Sequence, residues 1–162
     1  MKRRRILWLD NDAALILPYK VALESEGFEV SIVRTLAEAS AVLLTSPYDL
    51  LILDVMVPLT ENDVAHGYSF ETASDGAATG LAFYVKHREL LRERHTPVLV
   101  MTVRVDRSIE NEFTLAGLPS DCFVTKTAMR RATMFIAKIT SLVPPCDATA
   151  ADGVPPSGPP AE

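Results

Sequence analysis

The chain contains 162 residues, of which 48% are apolar, and its 16 Lys and Arg against 21 Asp and Glu give a formal charge of −5. This length and composition are typical of one globular domain. No apolar run approaches the roughly 20 residues of a membrane-spanning helix, and the negative charge disfavours general nucleic-acid binding. The apolar residues 6–9, which follow a basic start, are also too few for a secretory signal.

The C-terminal residues 144–162 differ in composition from the rest of the chain. They contain six of the 11 prolines and three acids, and no Lys or Arg, which predicts a disordered tail. We therefore expect one folded domain over residues 1–143. The two cysteines, Cys122 and Cys146, are too few for a disulfide framework and indicate reduced thiols in a cytoplasmic protein.

Short apolar runs alternate with helical patterns along residues 1–143. The runs predict strands over residues 5–9, 28–33, 50–53, 97–101 and 122–125, and the patterns predict helices that end at residue 26 or span 35–46, 81–92, 106–116 and 128–142. Pro18 should delay or bend the first helix, and Thr127 is the expected N-cap of the last. The residues expected to face the core from the first two helices are Leu17, Val21, Leu23, Leu36, Ala39, Leu43 and Leu44.

Residues 59–79 interrupt this alternation. They contain four acids and no Lys or Arg, and we predict a long acidic loop inserted after the third strand. Loops of more than about 12–15 residues are uncommon in compact domains and are often functional. Either the acids and His66 form a lid or partner surface, or the insertion is a mobile loop without chemistry; the composition favours the second interpretation.

The alternation of strands and helices predicts a doubly wound α/β fold, in which a parallel sheet carries helices on both faces. Ligands of such sheets bind at the carboxyl ends of the strands. The polar residues at those ends are Asp10, Asn11 and Asp12 after the first strand, Asp54 after the third, Thr102 after the fourth and Lys126 after the fifth.

Several carboxylates at one edge of a sheet repel each other, by on the order of 4 kcal/mol per pair at about 4 Å and an effective dielectric constant near 20. They therefore take up protons or bind a hard cation, and Mg²⁺ fits because it prefers oxygen ligands and bridges to phosphate. A carboxylate beside Mg²⁺ can accept a phosphoryl group, while Lys126 and Thr102 would stabilise the phosphoryl oxygens.

Four segments resemble the receiver domain of two-component response regulators: residues 6–12 (ILWLDND), 51–58 (LILDVMVP), 98–102 (VLVMT) and 123–126 (FVTK). The resemblance covers residues 5 to about 143 and implies a flavodoxin-like sheet with the strand order 2-1-3-4-5. It implies that Asp54 is the phospho-acceptor and that Thr102 and Lys126 contact the phosphoryl group. It further implies Mg²⁺ ligands at Asp10, at Asn11 or Asp12, at Asp54 and at the Met56 carbonyl, and a switch formed by Thr102 and Phe123.

The sequence departs from this family at three places. Asn11 replaces the second of two adjacent acids, which lowers the expected metal affinity unless Asp12 takes its place. Lys126 is followed by Thr127 rather than proline, so we expect a trans bond there, because a cis bond before a residue other than proline costs about 2.5–4 kcal/mol. The insertion of residues 59–79 replaces a short turn after Pro58.

The resemblance implies a stand-alone response regulator, which is a signalling domain rather than an enzyme. Its expected partners are a sensor histidine kinase or phosphotransfer protein and a downstream protein target, without direct DNA or membrane binding. A homodimer through the face of the helix at 106–116, the fifth strand and the last helix is possible. Two alternatives remain: a pseudo-receiver that binds partners without phosphorylation, and a phosphatase of the haloacid dehalogenase type with Asp10 as nucleophile.

Overall fold

The computed structural model describes residues 3–71, 78–103 and 106–143. Five parallel strands form one sheet in the order β2-β1-β3-β4-β5, so the predicted sheet and its strand order are confirmed. The strands are β1 (Arg5–Leu9), β2 (Glu29–Val33), β3 (Leu50–Leu53), β4 (Val98–Thr102) and β5 (Phe123–Thr125). The helices are α1 (Ala13–Ser25), α2 (Leu36–Thr45), α3 (Glu61–Ala65), α4 (Thr79–Glu93), α5 (Arg107–Leu115) and α6 (Ala132–Leu142), with a 3-10 turn at Ser120–Cys122. The predicted tail, residues 144–162, lies outside the described residues.

The central strands are buried on both faces, which explains why their sequences are continuously apolar. One face of the sheet packs against α2, α4 and α5, through a cluster that includes Leu7, Leu9, Leu51, Leu53, Val100, Leu36, Phe83 and Phe113. The other face packs against α1 and α6, through a cluster that includes Ile6, Trp8, Leu50, Ile52, Leu99, Met101, Ile16, Leu23, Phe135 and Ile139. The two layers of helices confirm the doubly wound architecture. Among the described residues, no helix has the length and apolarity that a membrane crossing requires.

Helix α1 differs from its prediction. It begins at Ala13 and continues through Pro18, with the Asp12 side chain as its N-cap. Its buried residues are Ile16 and Leu23, seven positions apart and therefore on one side of two helical turns. Leu17 and Val21 lie off that stripe and are 54% and 55% exposed, so their assignment to the core was wrong.

Two further helix predictions are corrected. Leu44, predicted to face the core from α2, is 58% exposed, whereas Leu36, Ala39 and Leu43 are buried as expected. Helix α6 begins at Ala132, not at residue 128, and its N-cap is Arg131. Residues 126–129 form a turn instead, in which Thr125 Oγ1 rather than Thr127 accepts the Ala128 N–H at 3.2 Å. The peptide bonds of the described residues are trans, as predicted for the bond after Lys126.

The described part of the insertion is not a plain loop. Thr60 and Asp63 form a capping box that starts α3, in which each side chain accepts a hydrogen bond from the other residue's backbone N–H. Asp63 is fully buried, and its second oxygen accepts the Ala37 N–H in the first turn of α2 at 2.7 Å. One carboxylate therefore accepts N–H groups at the start of two helices and fixes α3 against α2.

A buried hydrogen-bonded cluster lies beneath the same part of the insertion. Ser40 Oγ lies 2.9 Å from the Tyr68 hydroxyl and 2.8 Å from His87 Nε2, and the hydroxyl and the ring nitrogen are 3.2 Å apart. Burial, with a smaller effect of the Lys86 charge, lowers the pKa of His87 to about 4. The ring is therefore neutral at physiological pH and can accept one hydrogen bond while it donates another. Tyr68 thus anchors the insertion to α2 and α4.

Candidate functional site

Asp10 and Asp54 lie side by side because the strands that precede them are neighbours in the sheet. Leu9 is in register with Leu53, and the Asp54 N–H donates to the Leu9 carbonyl at 3.0 Å, which continues the ladder by one residue. Asp10 is fully buried and Asp54 is 6% exposed. Two carboxylates thus converge in a site with little access to water, as the strand pattern predicted.

Lys126 contacts both carboxylates. Its backbone N–H donates to the Thr102 carbonyl at 2.7 Å, which fixes the end of β5 against β4. Its ammonium Nζ lies 2.6 Å from Asp10 Oδ2 and 3.3 Å from Asp54 Oδ2. The lysine is itself only 7% exposed. The structure therefore brings Asp10, Asp54 and Lys126 into one buried cluster.

The charges of this cluster do not balance when both carboxylates are ionised, because one ammonium faces two of them. Burial is the main reason that the pKa of Asp54 is raised; the Lys126 charge opposes this effect and the Asp10 charge adds to it. Burial alone would lower the pKa of Lys126, but its hydrogen bond to Asp10 and the charge of Asp54 outweigh burial and raise it. The lysine is therefore cationic at neutral pH.

Thr102 and Phe123 complete the described site on the side of β4 and β5. Thr102 is the last residue of β4 and is fully buried. It stands in register with Thr125, the residue that precedes Lys126. Phe123 opens β5, is partly buried, and has its ring centroid 5.7 Å from that of Phe113 on α5. The predicted switch pair thus lies on neighbouring strands, and its role in switching stays a prediction.

The two residues that follow Asp10 do not share its buried position. Asn11 and Asp12 are exposed. Asp12 Oδ1 accepts the Leu15 N–H at 3.1 Å and caps α1, while the Asp12 N–H donates to Asp10 Oδ1 at 2.9 Å. The metal-binding role of the Asn11 and Asp12 side chains stays a prediction.

The donor set beside Lys126 fits Mg²⁺ in charge and ligand type. Asp10 and Asp54 supply two carboxylates with excess negative charge, and Mg²⁺ in phosphoryl-transfer sites commonly takes one or two carboxylates together with waters and phosphate oxygens. The Met56 backbone lies next to Asp54, whose Oδ1 is 3.4 Å from the Met56 N. Over residues 3–71, 78–103 and 106–143, however, no group of three or more His, Cys, Asp or Glu is arranged to hold a metal ion. The fit therefore depends on two carboxylates.

Thr79 and Gly80 hold the loop that follows Asp54, a role that the sequence did not predict for them. Thr79 is fully buried, and its hydroxyl accepts the Val57 N–H at 2.8 Å and donates to the Val55 carbonyl at 3.2 Å. The Gly80 N–H donates to the same carbonyl at 2.9 Å. The start of α4 is therefore joined to the loop that follows β3. The sequence Thr79-Gly80-Leu81 at the end of the insertion was the available signal.

Comparisons with protein-family models and with curated proteins each gave no match. Solved structures do match. A response regulator receiver domain protein (CheY-like) from Methanospirillum hungatei JF-1 is 22% identical, with a TM-score of 0.67 over 86% of this chain and 93% of that one. The chemotaxis response regulator CheY4 of Vibrio cholerae is 16% identical, with a TM-score of 0.65 over 88% of this chain and 100% of that one.

A third match is a response regulator protein from Burkholderia pseudomallei, solved with a phosphorylated aspartic acid, a calcium ion and citrate. It is 16% identical, with a TM-score of 0.62 over 83% of this chain and 65% of that one. These three similarities each cover more than four fifths of this chain, and its sheet has the strand order 2-1-3-4-5. The chain has the fold of response-regulator receiver domains.

Proposed function

We propose that the chain is a phosphorylation-dependent signalling switch in which Asp54 accepts a phosphoryl group. The observation that carries this proposal is the buried contact of Lys126 Nζ with both Asp10 and Asp54 at the carboxyl edge of the sheet. A buried ion cluster of this kind is costly to maintain and is a weak source of stability. Its position at the edge where doubly wound sheets bind ligands supports a functional explanation.

In the proposed reaction, one oxygen of Asp54 attacks the phosphorus of the donor. A bond forms between that oxygen and phosphorus as the bond from phosphorus to the leaving group breaks, and the leaving group keeps the electron pair. Lys126, whose pKa is raised, remains cationic and neutralises the added negative charge. The Thr102 side chain, at the end of the adjacent strand, would donate a hydrogen bond to a phosphoryl oxygen.

We assign Asp10, Asp54 and the Met56 carbonyl as the residues that would hold Mg²⁺, with Asn11 or Asp12 beside them. The bound cation would neutralise phosphoryl oxygens and orient the donor. The phosphorylated aspartate and calcium ion of the Burkholderia pseudomallei protein support this assignment for a relative in fold. Because Asn11 brings no charge, we expect weaker Mg²⁺ binding than a site with three carboxylates would give.

The phosphodonor would be a sensor histidine kinase, a phosphotransfer protein or a small phosphodonor in the cytoplasm. The output would be contact with a downstream protein through the face formed by α5, β5 and α6. Phe123 opens β5, and Thr102 ends the neighbouring strand β4. Phosphorylation adds charge at Asp54 and would bias this face between two arrangements. The same face is the candidate surface for a homodimer.

Intact-mass spectrometry after incubation with Mg²⁺ and acetyl phosphate tests the proposal. Wild type should gain the mass of one phosphoryl group, and the adduct should be absent in Asp54→Ala and reduced in Lys126→Gln. Asp49→Ala is the matched control, because Asp49 precedes β3 at the opposite edge of the sheet, where it pairs with Arg4. An adduct that persists in Asp54→Ala would refute the assignment.

One observation favours a second candidate, a pseudo-receiver that binds partners without phosphorylation. Asp12 caps α1, and the described residues hold no third acidic ligand beside Asp10 and Asp54. This candidate predicts no adduct and no Mg²⁺ binding by titration.

The phosphatase alternative requires Asp10 as nucleophile, but Asp10 is fully buried and its Oδ2 lies 2.6 Å from Lys126. An adduct that depended on Asp10 as acceptor would favour the phosphatase.

A further inference from the structure

A cleft of about 190 Å³ lies between α4 and the segment that joins α5 to β5. Val98, the first residue of β4, forms part of its lining. Thr102 is four residues further along the same strand, which at about 3.3 Å per residue places the cleft some 13 Å from the end of β4. The cleft is therefore separate from the site at Asp54.

A phenol whose ring is largely buried lines this cleft. Tyr84 is 7% exposed and packs its ring against Phe113, with the centroids 5.8 Å apart. In the part of the chain that the structure describes, its hydroxyl makes no hydrogen bond. Burial raises the pKa of Tyr84, so the hydroxyl is protonated at neutral pH and can donate to a ligand.

Two arginines of α4 lie beside that hydroxyl. Arg88 and Arg92 follow Tyr84 by four and eight residues, on the same side of the helix, and both line the cleft. Their charges act on the Tyr84 phenol. Glu89 is their shared acidic partner, 3.7 Å from Arg88 and 2.9 Å from Arg92, at the exposed surface. One carboxylate against two guanidinium groups leaves a net positive charge at the entrance of the cleft.

The remaining lining of the cleft is largely apolar. Leu91, Val98 and Leu118, all buried, contribute to it. A cavity of about 150 Å³ in an apolar core can hold a benzene molecule, so 190 Å³ accommodates a ring with one small polar substituent. Apolar walls, one phenolic donor and two guanidinium groups match a compact apolar body that carries an anion.

We infer that this cleft binds a small organic acid as its carboxylate, with the apolar body against Leu91, Val98 and Leu118. The carboxylate accepts hydrogen bonds from the Tyr84 hydroxyl and from Arg88 or Arg92. Guanidinium groups and carboxylates form directional, charge-assisted hydrogen bonds. The inference does not depend on phosphorylation of Asp54 and stands or fails independently of it.

Benzoate is the probe, and benzamide, which has the same shape without the charge, is its control. Titrations of the full chain at constant ionic strength, followed by ¹H–¹⁵N spectra, should give saturable benzoate-dependent shifts at the amides of Leu91, Val98 and Leu118, and much weaker effects of benzamide. Tyr84→Phe should weaken benzoate binding about tenfold, because a hydrogen bond to a charged acceptor is lost.

The control variant is Tyr19→Phe, which removes a phenolic hydroxyl on the other face of the sheet, where Tyr19 packs against Phe135. It should bind benzoate as wild type does. Tyr84→Phe retains the ring that contacts Phe113, so it should fold normally, as its spectrum will verify. Equal affinity for benzoate and benzamide, unchanged benzoate affinity in Tyr84→Phe, or the absence of saturable shifts would each overturn the inference.

Discussion

Replacement of Gly80 by alanine tests how tightly the start of α4 supports Asp54. A Cβ atom at Gly80 would lie 2.1 Å from the Asp54 carbonyl oxygen and 3.0 Å from the Val55 Cα. Close contacts between carbon and oxygen lie near ~3.3 Å, so α4 and the end of β3 would have to separate by about 1 Å. Both neighbours are backbone atoms and cannot turn away as a flexible side chain would.

The expected sign of this effect is opposite to that of helix propensity. Alanine is favoured over glycine in a helix by about 1 kcal/mol, and Gly80 lies in the first turn of α4 without a positive φ. Overpacking typically costs about 1–3 kcal/mol, and separation would also stretch the 2.9 Å hydrogen bond from Gly80 to Val55, worth about 1 kcal/mol. We expect Gly80→Ala to lower the free energy of unfolding by about 1–3 kcal/mol.

Urea unfolding measures this loss, and the rate of phosphorylation by acetyl phosphate measures its effect on the site. A misplacement near 1 Å can slow a reaction by about 10²-fold, so the adduct should form much more slowly. The control is Gly27→Ala, where φ is +88° and no atom lies within 4 Å of the added Cβ. That variant should lose about 1 kcal/mol through backbone strain and keep the wild-type rate. A Gly80→Ala protein as stable as wild type, with an unchanged rate, would refute the packing argument.

The remaining predictions concern buried titratable groups. Because the folded-state pKa of His87 is about 4, below its ordinary 6.5, its contribution to stability is present above pH 6.5 and is lost as the pH falls to 4. Urea unfolding across this range should show that the free energy of unfolding of wild type falls by about 3 kcal/mol more than that of His87→Gln. The same pH dependence in both proteins would contradict the prediction. His66 is exposed, so His66→Gln is the control. Asp63→Ala leaves the Thr60 and Ala37 N–H groups, at two helix N-termini, without their acceptor and should cost about 2–4 kcal/mol in urea unfolding. Glu61→Ala, at an exposed position of the same helix, should change stability by less than about 0.5 kcal/mol. Similar effects of the two variants would show that the caps are unimportant. The pKa of Asp54 is raised by burial, so its contribution to stability is present below pH 3.8 and is lost as the pH rises through the folded-state pKa. Asp54→Asn should therefore be more stable than wild type at pH 7, by a margin that shrinks towards acid pH, and a less stable variant at pH 7 would contradict the assigned direction.

The sheet and the cluster at its edge could be predicted because they depend on short-range patterns. The run of residues 50–53 is continuously apolar and ends in a carboxylate, and the same holds for the run that precedes Asp10. Parallel pairing then brings the ends of adjacent strands together without further information. Lys126 follows the same rule from β5, and its 2.6 Å contact with Asp10 is the result.

The insertion and the first helix could not be predicted in the same way. Helix α3 has only five residues, too few for periodicity to indicate it, and the burial of Asp63 depends on a partner 26 residues earlier in the chain. In α1, apolar residues occur on several sides, so the pattern does not distinguish the stripe of Ile16 and Leu23 from that of Leu17 and Val21. Packing against the sheet decides between them.

The hydrogen bond from Ala37 to Asp63 also has a consequence for measurement. The Ala37 amide is buried beneath the insertion, so it can exchange its hydrogen with solvent only when α3 leaves the first turn of α2. A single amide outside the insertion therefore reports how often the insertion opens. Its exchange rate, followed with and without a bound phosphodonor or partner, would give the free energy of that opening without a label on the insertion itself.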